Sequence, residues 1–203
     1  MKIRQTAIVG ALALLSGGCV PDWASTNDAP YILEIAAITN ADGTTPILSD
    51  VSFPVVNDNA TVLVNIFRKN NNDGLSTSAV EHVYLKRYEV RYHRTDGREV
   101  EGVDVPHRIS GALGNVRFHT PASGEEFEVS VVFPIVRHQA KVEPPLKNLQ
   151  GGTLGDTSLG VLPQAFVLTL IAEVTIHGET VQGRAMEAKG FVDVIFADFP
   201  DTN

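Results

Sequence analysis

The feature that most limits what this chain can fold into is a period-two alternation of apolar and polar residues, repeated in short runs from Tyr31 onward. Phe166, Leu168, Leu170, Ala172, Val174 and Ile176 fall on one side of their run, with Thr169, Glu173 and Thr175 on the other. Phe127, Val129, Val131 and Phe133 alternate in the same way with Glu128, Ser130 and Val132. Successive side chains of an extended chain point to opposite faces, so such runs read as half-buried strands. The same reading gives strands at Tyr31–Ile38, Ala60–Phe67, Val83–Arg94, Arg98–Val105, Asn115–His119, Val181–Glu187 and Gly190–Ala197. Glycine and proline cut the runs short, and no capped helical stripe interrupts them.

The expected fold is therefore all-β: an antiparallel β-sandwich of immunoglobulin or fibronectin-III type over residues 31–203. One hairpin can be read more closely. Thr95-Asp96-Gly97 joins two of the runs, and Asp-Gly is a strong turn signal. A three-residue turn with Gly97 left-handed sets Tyr92 opposite Val100, and Arg91 and His93 opposite Glu101 and Glu99. That register needs a bulge near Gly102, and it makes Gly97 more sensitive to a β-branched residue than Gly43. Residues 39–59 and 138–163 break the pattern. Within the second, Pro145 to Gly151 suits a single helical turn, with proline at its start and glycine past its end.

The amino terminus carries a different signal. Lys2 and Arg4 precede a short apolar run from Ala7 to Leu15, too short to cross a bilayer. Ser16, Gly17 and Gly18 follow, and then Cys19, the only cysteine of the chain. This order resembles the signal-peptidase-II class of bacterial lipoproteins, whose lipobox is an aliphatic residue, two small residues and cysteine; Ser16 stands where the aliphatic residue is usual. The resemblance implies a signal peptide over residues 1–18, cleavage between Gly18 and Cys19, and a lipid on Cys19. It also implies the outer membrane, because Val20 rather than aspartate follows the cysteine. Residues 19–30 then read as a lipidated end and a polar, proline-bearing tether, with Trp23 either at the lipid interface or on the domain. A lone thiol rules out an internal disulfide.

Composition narrows the partners. The chain carries a net charge of −8, and losing residues 1–18 removes Lys2 and Arg4 but no acid. Phosphate backbones are bound chiefly by Lys and Arg, so nucleic acid is not an expected partner.

Catalytic signatures are missing from the sequence. Gly155 to Gly160 has the wrong spacing for a nucleophile elbow, and no Ser-x-x-Lys occurs. His82, His93, His107, His119, His138 and His177 show no metal-ligand spacing and read as exposed strand or loop residues. Asn70 to Gly74 fails as a calcium loop, since Lys69 and Val80 stand where carboxylates should. Glu99, Glu101, Glu125, Glu126 and Glu128 read as solvated strand edges. No cofactor is expected. The sequence thus points to a non-catalytic module tethered through its lipidated N-terminus, presenting loops to an envelope protein or glycan. An envelope hydrolase with a loop-assembled site and a strand-exchanging subunit of a surface fibre are the alternatives. The best binding candidate is the 138–163 connection, with Leu146, Lys147 and Leu149; its other reading is an insertion that merely covers an open end of the sandwich.

Overall fold

A computed structural model describes residue 29 and residues 31–52, 55–68, 82–119, 127–150 and 167–199. In chain order the elements are β1 (Tyr31–Thr39), β2 (Ile47–Asp50), β3 (Asp58–Arg68), β4 (His82–His93), β5 (Ile109–His119), β6 (Phe127–Val136), α1 (His138–Lys141), a 3-10 turn (Leu146–Leu149), β7 (Val167–Thr180) and β8 (Ala185–Ala197). They form two sheets. One has the order β1-β3-β6 and the other β2-β8-β7-β4-β5. Every described pairing of these strands is antiparallel except β2 with β8. The fold is the expected sandwich, and its division into β1-β3-β6 against β8-β7-β4-β5 is that of a fibronectin-III-like domain with β2 added at one edge.

The alternation decides which faces meet. Leu170, Ala172, Val174 and Ile176 of β7 are fully buried, as are Val62, Val64 and Ile66 of β3. Burial of each large aliphatic side chain contributes roughly 1.5–3 kcal/mol. Two tyrosines of β4 tie the sheets together. The Tyr88 ring stacks on Phe133 of β6 with centroids 4.0 Å apart. Tyr92 meets Phe196 edge-on at 6.3 Å, and its hydroxyl donates to the Ile135 carbonyl across the core.

Three sequence expectations need correction. Residues 98–105 form no strand. The edge of β4 is taken instead by β5, with Val90 paired to Ile109. Residues 100–105 close on themselves: the Val103 and Asp104 amides donate to the Val100 carbonyl, and the Gly102 amide, at φ +77°, donates to the Val105 carbonyl at 2.7 Å. Val100 and Val103 are left 59% and 65% exposed. Gly97 is left-handed as expected, at φ +78°, but it opens an irregular connection and fixes no register. Gly43, at φ +75°, is in the same position, so the expected difference between the two glycines is withdrawn. Of the anticipated cross-strand partners only His93 and Glu99 meet, at 2.9 Å.

Second, the 39–59 stretch holds β2, a short strand that sequence reading missed. Third, the runs assigned to Val181–Glu187 and Gly190–Ala197 are a single strand, β8, preceded by a turn in which the Gly183 amide donates to the Thr180 carbonyl.

Gly111 gives a test of this packing. It sits on β5 opposite Tyr88, and a Cβ there would lie 2.5–2.7 Å from atoms of the tyrosine ring. Phe133 stacks against that ring with centroids 4.0 Å apart, so it has little room to shift. Gly111→Ala is expected to destabilise the domain by about 2 kcal/mol in urea unfolding. An unchanged midpoint would contradict the described core.

Candidate functional site

The strand pairings give the sandwich two distinct ends. Tyr31 pairs with Arg68 and Thr39 with Thr61, so β1 enters beside the end of β3 and runs back toward its start. Asp58, the first residue of β3, pairs with Val136, the last of β6. The end of β4 lies at this same pole, because Tyr92 reaches Ile135. The pole therefore gathers three connections: 51–57, 94–108 and the segment after β6. The β7–β8 turn lies at the opposite pole with Tyr31, and its Val181 amide donates to the carbonyl of His82, the first residue of β4.

The segment after β6 closes the end of the sandwich. Leu146, on the 3-10 turn, is fully buried, and Leu149 packs partly buried against the core. Lys141, on α1, is 1% exposed and donates from Nζ to Asp58 Oδ1 at 3.0 Å. Burial pushes the Asp58 carboxyl above its ordinary value, while the Ser49 hydroxyl and the Lys141 ammonium oppose that shift. Asp58 Oδ2 and Ser49 Oγ are both buried without a well-formed hydrogen bond; the hydroxyl still lies near enough to favour the carboxylate. Gln150 Nε2 donates to the carbonyls of Val51 at 2.6 Å and Lys141 at 3.2 Å. The His138 amide donates to Asn57 Oδ1 at 2.7 Å.

These placements sort the residues singled out from sequence. Gly18 and Cys19 lie outside the described residues, as do Lys69 to Val80, Glu125, Glu126 and Gly155 to Gly160. Leu146 is corrected from a contact residue to a core residue: an apolar side chain on a turn over an open sandwich end is drawn into that end. Lys147 stays exposed. For residues 138–150 the covering reading of the connection is the one observed. His82 also departs from expectation, being 6% exposed on β4 with its ring against Arg117.

Two clefts lie at the pole of the closing segment, and that segment walls one of them. The first, of about 80 Å³, lies between α1 and residues 106–109, with Arg108, Ile109, Arg137, Ala140 and Glu143 among its walls. The second, of about 200 Å³, is walled by Arg91, His93, Glu99, Glu101, Val105 and Arg108. Its histidine is held at both nitrogens: Nδ1 is 2.9 Å from Glu99 and Nε2 is 3.2 Å from Glu173. A histidine acting as general base for a hydroxyl turns one nitrogen to an acid and the other to the nucleophile. His93 has no nitrogen left for a nucleophile. Beside it, Arg94 and Arg98 both grip Asp96 and hold its carboxyl well below the usual range. The hydrogen bond from Arg91 lowers the Glu89 carboxyl. His177, on the outer face of the larger sheet, is lowered chiefly by burial. Among the described residues, no group of three or more His, Cys, Asp or Glu converges to hold a metal, and no helix is long and apolar enough to cross a membrane.

Comparison with known proteins adds little. No family model matches the chain, and no curated protein is similar to it. Solved structures similar to it include the putative ApaA protein from Bordetella pertussis, at 15% identity, covering 85% of this chain and 98% of that one with a TM-score of 0.33. The sporulation control protein Spo0M from Bacillus subtilis is similar at 11% identity over 85% of this chain and 51% of its own, with a TM-score of 0.30. The CooA pilin subunit from enterotoxigenic Escherichia coli matches at 11% identity over 83% and 99%, with a TM-score of 0.24. Likenesses this weak carry no argument about function.

The Lys141–Asp58 pair can be tested by a double-mutant cycle. Asp58→Asn leaves a buried ammonium without a counter-charge and should cost about 3–5 kcal/mol. Lys141→Met should cost less, because Asp58 is 18% exposed and can take up a proton. The double variant should return to within about 1 kcal/mol of the parent. Additive losses in thermal or urea unfolding would contradict a coupled buried pair.

Proposed function

We propose that this protein is a lipid-anchored module of the cell envelope that holds the clefted pole of its sandwich away from the membrane and engages partners there without catalysis. The observation that carries the reading is the opposition of the two poles. The chain is in the core from Ala29 and Tyr31, while the 94–108 connection, the closing segment and both clefts lie at the far end. If Cys19 carries the lipid, the ten residues from it to Ala29, whose side chain is already in the core, can reach at most about 35 Å even when fully extended. The long axis is greater: the 12 residues of β4 extend about 40 Å. A tether shorter than the domain, fixed to one pole, keeps that pole nearer the membrane. Diacyl or triacyl modification would supply a far firmer hold than one myristoyl chain, which binds only marginally. The Gly18–Cys19 junction and the residue after it favour the outer membrane as the site of anchoring.

The two alternatives draw less support. A hydrolase would need a histidine beside a nucleophile, but His93 has both nitrogens on carboxylates, and among the described residues no serine, threonine or cysteine lines either cleft. A strand-exchanging fibre subunit would need a vacant strand position. Here β8 already fills the place between β2 and β7.

Metabolic labelling of cells with a clickable fatty acid tests the anchor. The native protein should label and sediment with membranes, whereas Cys19→Ala should be unlabelled and either unprocessed or soluble. Acylation persisting in Cys19→Ala would refute the assignment.

A further inference from the structure

We propose that the cleft between α1 and residues 106–109 binds a small aliphatic carboxylate, the chemistry of a peptide's C-terminal residue. The side chain would lie on Ile109 and Ala140, and the carboxylate would be held by Arg108 and Arg137.

The arginines of this pole divide into two groups. Arg94 and Arg98 are spent on Asp96, at 2.8 and 2.7 Å, and Arg91 is spent on Glu89 at 2.8 Å. The two that line the cleft are less committed. Among the described residues, the acids nearest Arg108 are Glu101 at 3.7 Å and Glu89 at 3.9 Å. Arg137 gives Nη2 to the Ser110 carbonyl at 2.9 Å, a neutral partner that fixes the side chain, and among the described residues no acid pairs with it. A guanidinium has five N–H donors, so most of those of Arg137 remain to be used. Orienting the group beforehand lowers the entropic cost of binding a carboxylate, which matches a guanidinium in shape.

The rest of the wall suits the other half of such a ligand. Ile109 is 2% exposed, and Ala140 packs against the core beside it. The cleft's acid, Glu143, is held by Gln139 Nε2 at 2.5 Å. Two guanidiniums thus face one engaged carboxylate, on a chain whose net charge is −8. At about 80 Å³ the cleft offers roughly half the space of a cavity that accepts benzene, which fits a side chain of three or four carbons.

The proposal rests on the display reading for where its ligand would come from, but the cleft's chemistry needs no membrane. The test is a titration of the full-length mature protein in detergent micelles, followed by amide chemical shifts. N-acetyl-L-valine should shift Ile109 and Ala140 saturably, with a dissociation constant of ~1 mM, in keeping with so small a ligand. N-acetyl-L-valinamide, the same body without the charge, should bind at least tenfold more weakly, as should the acid to Arg137→Gln. Arg94→Gln should bind as the parent does. Equal binding of acid and amide, or no saturable shift at Ile109 and Ala140, would overturn the proposal. Binding of glucuronate in place of the valine derivative would overturn the peptide-like ligand. Failure here leaves the lipid anchor untouched, and failure of the anchor leaves this titration unchanged.

Discussion

The buried pair between Lys141 and Asp58 is the interaction on which the working end of this molecule depends. A β-sandwich with an open end exposes its core to water, and something must cover it. Here the cover is a short irregular segment with little secondary structure of its own. What holds it is a lysine 1% exposed, bonded at 3.0 Å to the first residue of β3. Isolated buried charges are strongly disfavoured, so the ammonium tolerates one position, beside its carboxylate. Once α1 is placed, the rest follows. Leu146 falls into the core, Gln150 reaches Val51, and Arg137 spans to Ser110 on β5. The smaller cleft is walled by the surface that this arrangement fixes.

Most of the sandwich could be read from the sequence, because its sheets each have one buried face and alternation reports burial directly. Phe127 to Phe133 and Leu168 to Ile176 were clear for that reason. The failures have physical causes. The valines at 100, 103 and 105 alternate loosely with polar residues, but a strand needs a free edge to pair with, and β5 had taken it. Gly111 and Gly114 disguised β5's own first half, since one makes room for the Tyr88 ring and the other sits at φ +68° in a bulge. β2 is too short to show periodicity and owes its position to pairing with β8.

The site was legible only in part. Residues 138–163 stood out as the longest break in the pattern, and the 3-10 turn after Pro145 was foreseeable from its flanking residues. Nothing marked Lys141 as buried, because lysine is almost never fully buried unless paired and its partner lies 83 residues away. The cleft arginines were equally hidden. Arg108 and Arg137 differ from Arg94 and Arg98 through their neighbours alone, and those neighbours meet only in the folded chain. The sheets of the domain give rigidity, its closing segment gives shape, and its less committed charges gather at one pole.

Energy transfer from each end of the sandwich to a membrane tests whether this pole faces away from it. If Cys19 carries the lipid, an introduced cysteine is the one free thiol of the chain. Gln182→Cys places a donor dye in the exposed β7–β8 turn, and Arg98→Cys places it at the clefted pole, on a side chain 61% exposed. Each protein is reconstituted into vesicles carrying an acceptor lipid. Transfer from position 182 should clearly exceed transfer from position 98, since the two ends of the sandwich are about 40 Å apart. Equal transfer, or stronger transfer from position 98, would contradict a module that holds its clefts toward a partner beyond the membrane.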